Sequence, residues 1–130
     1  MKRDMKNTYD KRDLNEILHD KLNESYANRL KGMDNILLHE EYRRAKDNKR
    51  IGEIDCFAYR ERSNTAYIIE TKLNNSGQNR RRARKQMNRA YTQFIPQYGS
   101  RYGVDIDRVV KLYVSSNGIS CQGIHDKYKR

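Results

Sequence analysis

"RIGEIDCFAYRERSNTAYIIETKL", Arg50 to Leu73, holds two apolar segments on either side of a polar turn. The first places Asp55 among apolar residues, and the second ends in Glu70-Thr71-Lys72. Burying a charge is costly unless it is paired or coordinates a metal. The acids therefore stand either at the mouth of a working site or on a solvated strand edge. Successive strand residues point to opposite faces. Glu53 and Asp55 are thus expected on one face with Ile54 and Cys56 on the other, and Glu70 and Lys72 share a face opposed by Ile69 and Thr71. A hairpin closed at "ERSNT" brings Asp55 close to Glu70, 15 positions on, with Lys72 beside them.

Two carboxylates that close repel unless a cation lies between them, and a hard divalent ion such as Mg²⁺ suits an oxygen-only site. A neighbouring lysine can orient a water or stabilise charge developing on a phosphoryl oxygen. The chemistry this arrangement implies is metal-assisted phosphodiester hydrolysis.

Working outward, Leu14, Ile17, Leu18 and Leu22 recur at helical spacing from Asp13 to about Lys31, and Gly32 supplies a stop. "NILLHEEYRR" reads as a first strand, with "KDNK" as the turn into the quoted stretch. Gln78 to about Ile95 is strongly periodic, with Ala83, Met87, Ala90, Tyr91 and Phe94 on one face and Pro96 ending the helix. "RVVKLYVSS" reads as a fourth strand and Asn117-Gly118 as a turn. The expected fold is α/β: helix, three strands, helix, strand, a mixed sheet with helices on both faces. The length, 130 residues, suits one domain, with 1–12 as a basic arm and 121–130 as a loose basic tail.

The net charge is +11, from 28 Lys and Arg against 17 Asp and Glu. Such an excess favours a polyanion, nucleic acid before anionic membrane. No apolar run is long enough to span a bilayer, and no apolar segment follows the basic start as a secretory signal would. Cys56 and Cys121 have no metal or disulfide spacing, so an intracellular, cytoplasmic and DNA-associated setting is expected. His19, His39 and His125 lack metal spacing and read as incidental. The run Arg80, Arg81, Arg82, Arg84, Lys85 and Arg89 carries one sign of charge beside the acidic strands, and reads as a phosphate-backbone contact. Some of the ten tyrosines are candidates for stacking on bases.

"GEID" with Asp55 and "IIETK" with Glu70 and Lys72, set between two helices, resemble the PD-(D/E)XK, or restriction-endonuclease-like, nuclease superfamily. The resemblance spans about residues 13 to 115 by element order. It implies an αβββαβ core, Mg²⁺ as cofactor with Mn²⁺ able to substitute, and a DNA substrate, RNA remaining open. Ile54 stands where the family has a proline. Many branches place a glutamate on the first helix facing the metal; Glu24 is expected there ahead of Glu16. Gln86 with Tyr91 is similar to the Q-x-x-x-Y element of RecB-like nucleases, with four residues between the pair instead of three. The implied catalytic set is Asp55, Glu70, Lys72, Glu24 and Gln86, with Asp55, Glu70 and Glu24 as metal ligands. The small build is similar to Holliday-junction resolvases, which work as dimers, so the resemblance also implies a structure-selective endonuclease of recombination or repair and a homodimer.

Two other readings use the same residues. One is a catalytically inactive nucleic-acid-binding module of this fold; the other is a basic protein in which Asp55, Glu70 and Lys72 form a structural ion network. Divalent-ion binding that vanishes in Asp55→Ala separates the last from the others.

Overall fold

The computed structural model describes residues 14–44, 46–74, 76–126 and 128; the basic arm over 1–12 lies outside them. Helix α1 (Leu14–Ala27) precedes strands β1 (Asn35–Arg43), β2 (Arg50–Arg60) and β3 (Thr65–Thr71). Helix α2 (Gly77–Tyr102) then leads to β4 (Arg108–Ser115) and β5 (Gly118–His125). The five strands lie in chain order, β1-β2-β3-β4-β5. β3 and β4 pair in parallel and every other neighbouring pair is antiparallel, so the protein is α/β with a mixed sheet. A parallel pair needs a crossover between its strands, and α2 supplies it.

The two helices take opposite faces of this sheet. Under α2, Phe57, Ile68, Met87, Phe94, Tyr98 and Val109 belong to the main buried cluster. Under α1 the cluster is thinner: Ala27, Cys56, Ile69 and Val114, with Leu22, Tyr26 and Leu112 partly buried against it. Among the described residues no helix is long and apolar enough to cross a membrane.

Three expectations change. α2 does not end at Pro96 but runs on to Tyr102, where Gly103 caps it in the left-handed region (φ 66°). An interior proline removes one helical hydrogen bond and costs about 3 kcal/mol. Tyr98 and Gly99, both buried beyond it, hold the last turns to the core. The tail is not loose over its first half: Cys121–His125 pairs with β4, and the Tyr128 hydroxyl donates to the Tyr91 carbonyl at 3.1 Å. Finally, α1 is rotated from the face its leucines suggest. Leu14 and Leu18 are exposed at 68% and 43%, whereas Asn23 and Ala27 are buried.

The strand alternation also breaks beside the site, in two strands together. On β2 Ile54 and Phe57, three apart, both join the cluster under α2, while Cys56 joins the one under α1. The pleat therefore changes phase across Asp55 and Cys56, and Ile54 and Cys56 do not share a face as simple alternation predicts. On β1 Leu37 packs under α2 and Glu40 meets Arg101 of α2. Between them His39 turns to α1, 3.8 Å from Asp20, with a positive φ of 52°. Because both strands slip, their register is the same on either side: Leu38 faces Cys56 and Glu40 faces Ile54.

Candidate functional site

The β2–β3 ladder pairs Arg60 with Thr65 and ends at Cys56 opposite Ile69. One step further the strands open, and side chains replace the backbone bonds. Asp55 Oδ2 accepts from the Thr71 amide at 2.8 Å, and Glu70 Oε2 lies 3.4 Å from the Asp55 amide. Both carboxyl groups are buried. β3 stays zipped to β4 on its other side, where the Lys72 amide donates to the Val114 carbonyl at 2.9 Å. Asp55, Glu70 and Lys72 thus meet at one end of the sheet, held by a strand that is fixed on only one edge.

α1 completes the site. Asn23, fully buried, donates from Nδ2 to the Asp55 carbonyl at 2.7 Å and accepts at Oδ1 from the Thr71 hydroxyl at 3.0 Å. One turn earlier His19 Nε2 lies 2.5 Å from the Thr71 carbonyl and 3.3 Å from Asp55 Oδ2. Its Nδ1 is 3.4 Å from Asp20 Oδ1. These contacts explain the rotation of α1: polar groups at residues 19 and 23 bond the sheet end, and the helix turns Leu14 and Leu18 outward to let them.

The electrostatics follow from burial and proximity. Hydrogen bonding to Asp55 is the largest influence on His19; with the Asp55 charge and the Thr71 carbonyl it outweighs burial and raises the imidazole to about 9. Burial opposes ionisation of Asp55, but the bonds from His19 and the Thr71 amide, with the His19 and Lys72 charges, hold its carboxyl below the usual range. Glu70 goes the other way: burial first, then the Asp55 charge, raises it well above the carboxylate range despite Lys72. Without a cation, then, the two neighbouring acids are driven apart, Asp55 toward its ionised form and Glu70 toward its protonated one.

Asp55, Lys72 and His19 line a cleft of about 700 Å³; Glu70, almost fully buried, is not among its lining residues. Glu16, His19 and Asp20 of α1 form one wall, His39 and Glu53 another, and Asn79 and Arg82 of α2 a third. Glu24 is exposed and is not among the residues lining the cleft. The expected first-helix ligand is therefore corrected: residue 24 lies one turn beyond Asp20 on the same flank, exposed and past the end of the cleft, and the residues of α1 that reach the site are Glu16, His19 and Asp20. His19 and His39, read as incidental, belong to the cleft. The missed signal was local: a histidine and an asparagine four residues apart beside an apolar stripe that was never required to be the buried one.

Gln86 lines a smaller hollow of about 280 Å³ with Tyr42, Arg50 and Arg89, joined to the cleft through Glu53. Its Oε1 is buried without a hydrogen-bond partner. Tyr91, half-buried, packs against His125 and Tyr128, with the Lys111 ammonium 4.7 Å from its ring centre. It is a packing residue. In the basic run, Arg82, Gln86 and Arg89 fall at i, i+4 and i+7 on the flank nearest the site. Arg84 lies with Asn88, which bonds Lys111 of β4, on the other flank, and Arg81 points away from both. Arg80 and Lys85 are exposed.

A divalent ion fits the donor chemistry. The Asp55 and Glu70 carboxyls are buried close together, and the Thr71 carbonyl meets His19 Nε2 beside Asp55. Among the described residues no three His, Cys, Asp or Glu side chains already stand as a ligand cluster. The Glu70 carboxyl, turned to the Asp55 amide, has to swing to join one.

Compared with known proteins, the sequence matches no family model and no curated protein. It is similar to a solved structure described as "Crystal structure of SSO0001", with 16% identity and a TM-score of 0.47. The match covers 91% of this chain and 55% of that one, so this chain spans about half the length of that protein. A likeness of this degree says nothing of activity.

Proposed function

We propose that the protein is a divalent-metal-dependent nuclease with a restriction-endonuclease-like core, hydrolysing phosphodiester bonds of DNA. One observation carries the reading: Asp55 and Lys72 line an open cleft at the open end of the β2–β3 hairpin, and Glu70 buries its carboxyl behind Asp55, 3.4 Å from the Asp55 amide. The order of elements supports it, as does the net charge of +11.

Asp55 and Glu70 would hold Mg²⁺ or Mn²⁺, which supplies Lewis-acid polarisation of a phosphoryl oxygen. Lys72, half-buried on the cleft floor, places its ammonium where charge develops on the phosphoryl group. Arg82 on the cleft wall and Arg89 beyond it bind the phosphate backbone and set its path along α2. Cutting at junctions or flaps by a homodimer belongs to the same proposal, on the family resemblance alone.

The test is to incubate the protein with labelled single-stranded, duplex, flap and four-way-junction DNA, and with RNA, in Mg²⁺, Mn²⁺ or EDTA. Cleavage is expected with either metal and not with EDTA. Lys72→Ala should lose about 10²–10³-fold in rate, and Asp55→Asn at least as much. Full cleavage by Asp55→Asn overturns the assignment; metal-independent binding with no cleavage of any substrate favours the inactive module. Replacing Arg82 and Arg89 with Gln should flatten the slope of log affinity against log salt by about 0.9 per lost duplex contact, more than the same change at Arg81 and Arg84.

A further inference from the structure

The far edge of the sheet differs from the rest of the surface. From Leu112 to His125 the sequence holds no Asp, Glu, Lys or Arg, although 35% of the protein is charged. We infer that the outer edge of β5 pairs antiparallel with the β5 edge of a second copy, joining two sheets into one across a two-fold axis. The inference stands apart from the reading of the cleft and from the family resemblance.

Three observations lead there. First, β5 ends the sheet, and among the described residues it pairs only with β4. Natural proteins blunt such edges with charges, prolines or bulges. β1, the opposite edge, carries Glu40, Glu41 and Arg43 and the positive φ of His39. β5 runs for 8 residues with neither a charge nor a proline.

Second, β5 gathers its apolar side chains on one face. Ile119 and Ile124 are five apart, and simple alternation would set them on opposite faces. The register shift between Lys111 and Leu112, where Gln122 is the extra residue, changes the phase between them. Ile119 stands across from Val114 and Cys121 across from Leu112, both packed under α1. Ile124 stands across from Val110, which points the same way because its neighbour Val109 belongs to the cluster under α2. The two isoleucines are 55% and 57% exposed there. A bulge that only blunted the edge would have no need to collect them. The adjoining groove between α1 and β5, about 260 Å³, adds Leu22 and Tyr26, and Arg29 is the one charged side chain lining it.

Third, charge selects the partner. Two copies of net charge +11 repel each other. An uncharged face lets them meet, and it offers nothing to a nucleic-acid phosphate. The edge is also self-complementary. Run antiparallel to itself about a dyad between Cys121 and Gln122, it sets Ile119 of one copy opposite Ile124 of the other, on the same face of the joined sheet. β5 begins beside Val114, at the sheet end that carries Thr71 and the cleft. The dyad therefore sends the two clefts to opposite ends of the assembly, as two separate sites.

The test is sedimentation velocity on the full-length, tag-free protein, freed of nucleic acid, over a series of concentrations and salt. Wild type should dimerise, and more tightly as salt rises, because screening removes repulsion between the copies. Ile119→Lys with Ile124→Lys should weaken dimerisation by about 100-fold or more, since it sets like charges against each other. Ile36→Lys with Leu38→Lys, at side chains 38% and 39% exposed on β1, should leave it unchanged. A short bis-maleimide should link the copies through Cys121, which is exposed, whereas Cys56 is buried; Cys121→Ser should not link. A protein monomeric at every concentration and salt overturns the inference and leaves the Asp55–Glu70 reading standing. A dimer that weakens with salt, survives the β5 substitutions or fails with the β1 substitutions also overturns it. If the lysine variants fail to fold, the wild-type cross-link decides: a dimer that does not link through Cys121 overturns the inference.

Discussion

The two faces of the sheet are built to different ends. Under α2, the rings of Phe57, Phe94 and Tyr98 pack with centroids 4.5 to 6.0 Å apart, and Tyr42 and Tyr59 extend the stack. Under α1, four small or aliphatic residues fill the cluster, and the helix meets the sheet end through His19 and Asn23. Aromatic burial is where large stabilisation comes from. The α2 face holds the fold together, and the α1 face is thereby released to present groups that cost stability and perform chemistry.

The largest effect expected from this contrast is on stability. Phe94→Ala should lower the unfolding free energy by about 3–5 kcal/mol, while Leu18→Ala, exposed on α1, should change it by less than about 0.5 kcal/mol. Urea denaturation of both variants checks this. Equal effects would mean that α1 contributes a second core.

A smaller effect is expected at the junction of the two roles. Asn23→Ala leaves the Asp55 carbonyl without its donor in a buried place and should cost about 1–3 kcal/mol. It should also weaken Mn²⁺ binding, because Asn23 then no longer ties together the two strands that carry Asp55 and Glu70. A stability loss with metal binding unchanged would make Asn23 purely structural.

The smallest is a pH dependence confined to the α1 face. His19 rises from 6.5 to about 9 on folding, so the folded state binds its proton more tightly than the unfolded chain does. Its contribution is fully present below pH 6.5 and is lost as pH climbs through about 9. Glu70, raised by burial and facing Asp55, adds in the same direction, while Asp55, held low, contributes above its unfolded value and loses only in acid. In EDTA, the melting temperature should fall between pH 6.5 and 9, and His19→Ala should flatten that fall. A wild-type melting temperature that rises over this window breaks the scheme.

The difference between the faces also explains what could be read from the sequence. The β2–β3 hairpin was legible because its two apolar segments and the turn at 61–64 are local, and local pairing brings Asp55 to Glu70; the change of pleat phase across Asp55 and Cys56 was not. The orientation of α1 was not. Leu14 and Leu18 advertise a face, but which side meets the sheet depended on the Asp55 carbonyl and Thr71, 32 and 48 residues away from Asn23. The passage of α2 through Pro96 depended on Tyr98 reaching Asn35 and Phe57, again far along the chain. β5 was hidden because "GISCQGIH" has few β-branched residues and no strict alternation; it is a strand because β4 offers it an edge.

The paired slip of β1 and β2 has a consequence for anyone altering these strands. Leu38-His39 and Asp55-Cys56 act as matched insertions, each keeping the other in step. Deleting one residue from either pair would leave a one-residue mismatch, and every side chain on one side of the deletion would exchange inside for outside. Deleting one from each would restore an unbroken pleat, with Phe57 and Ile54 still able to find the core. That double deletion is a route to a smoother hairpin, and it would erase the ledge on which Asp55 and His39 stand.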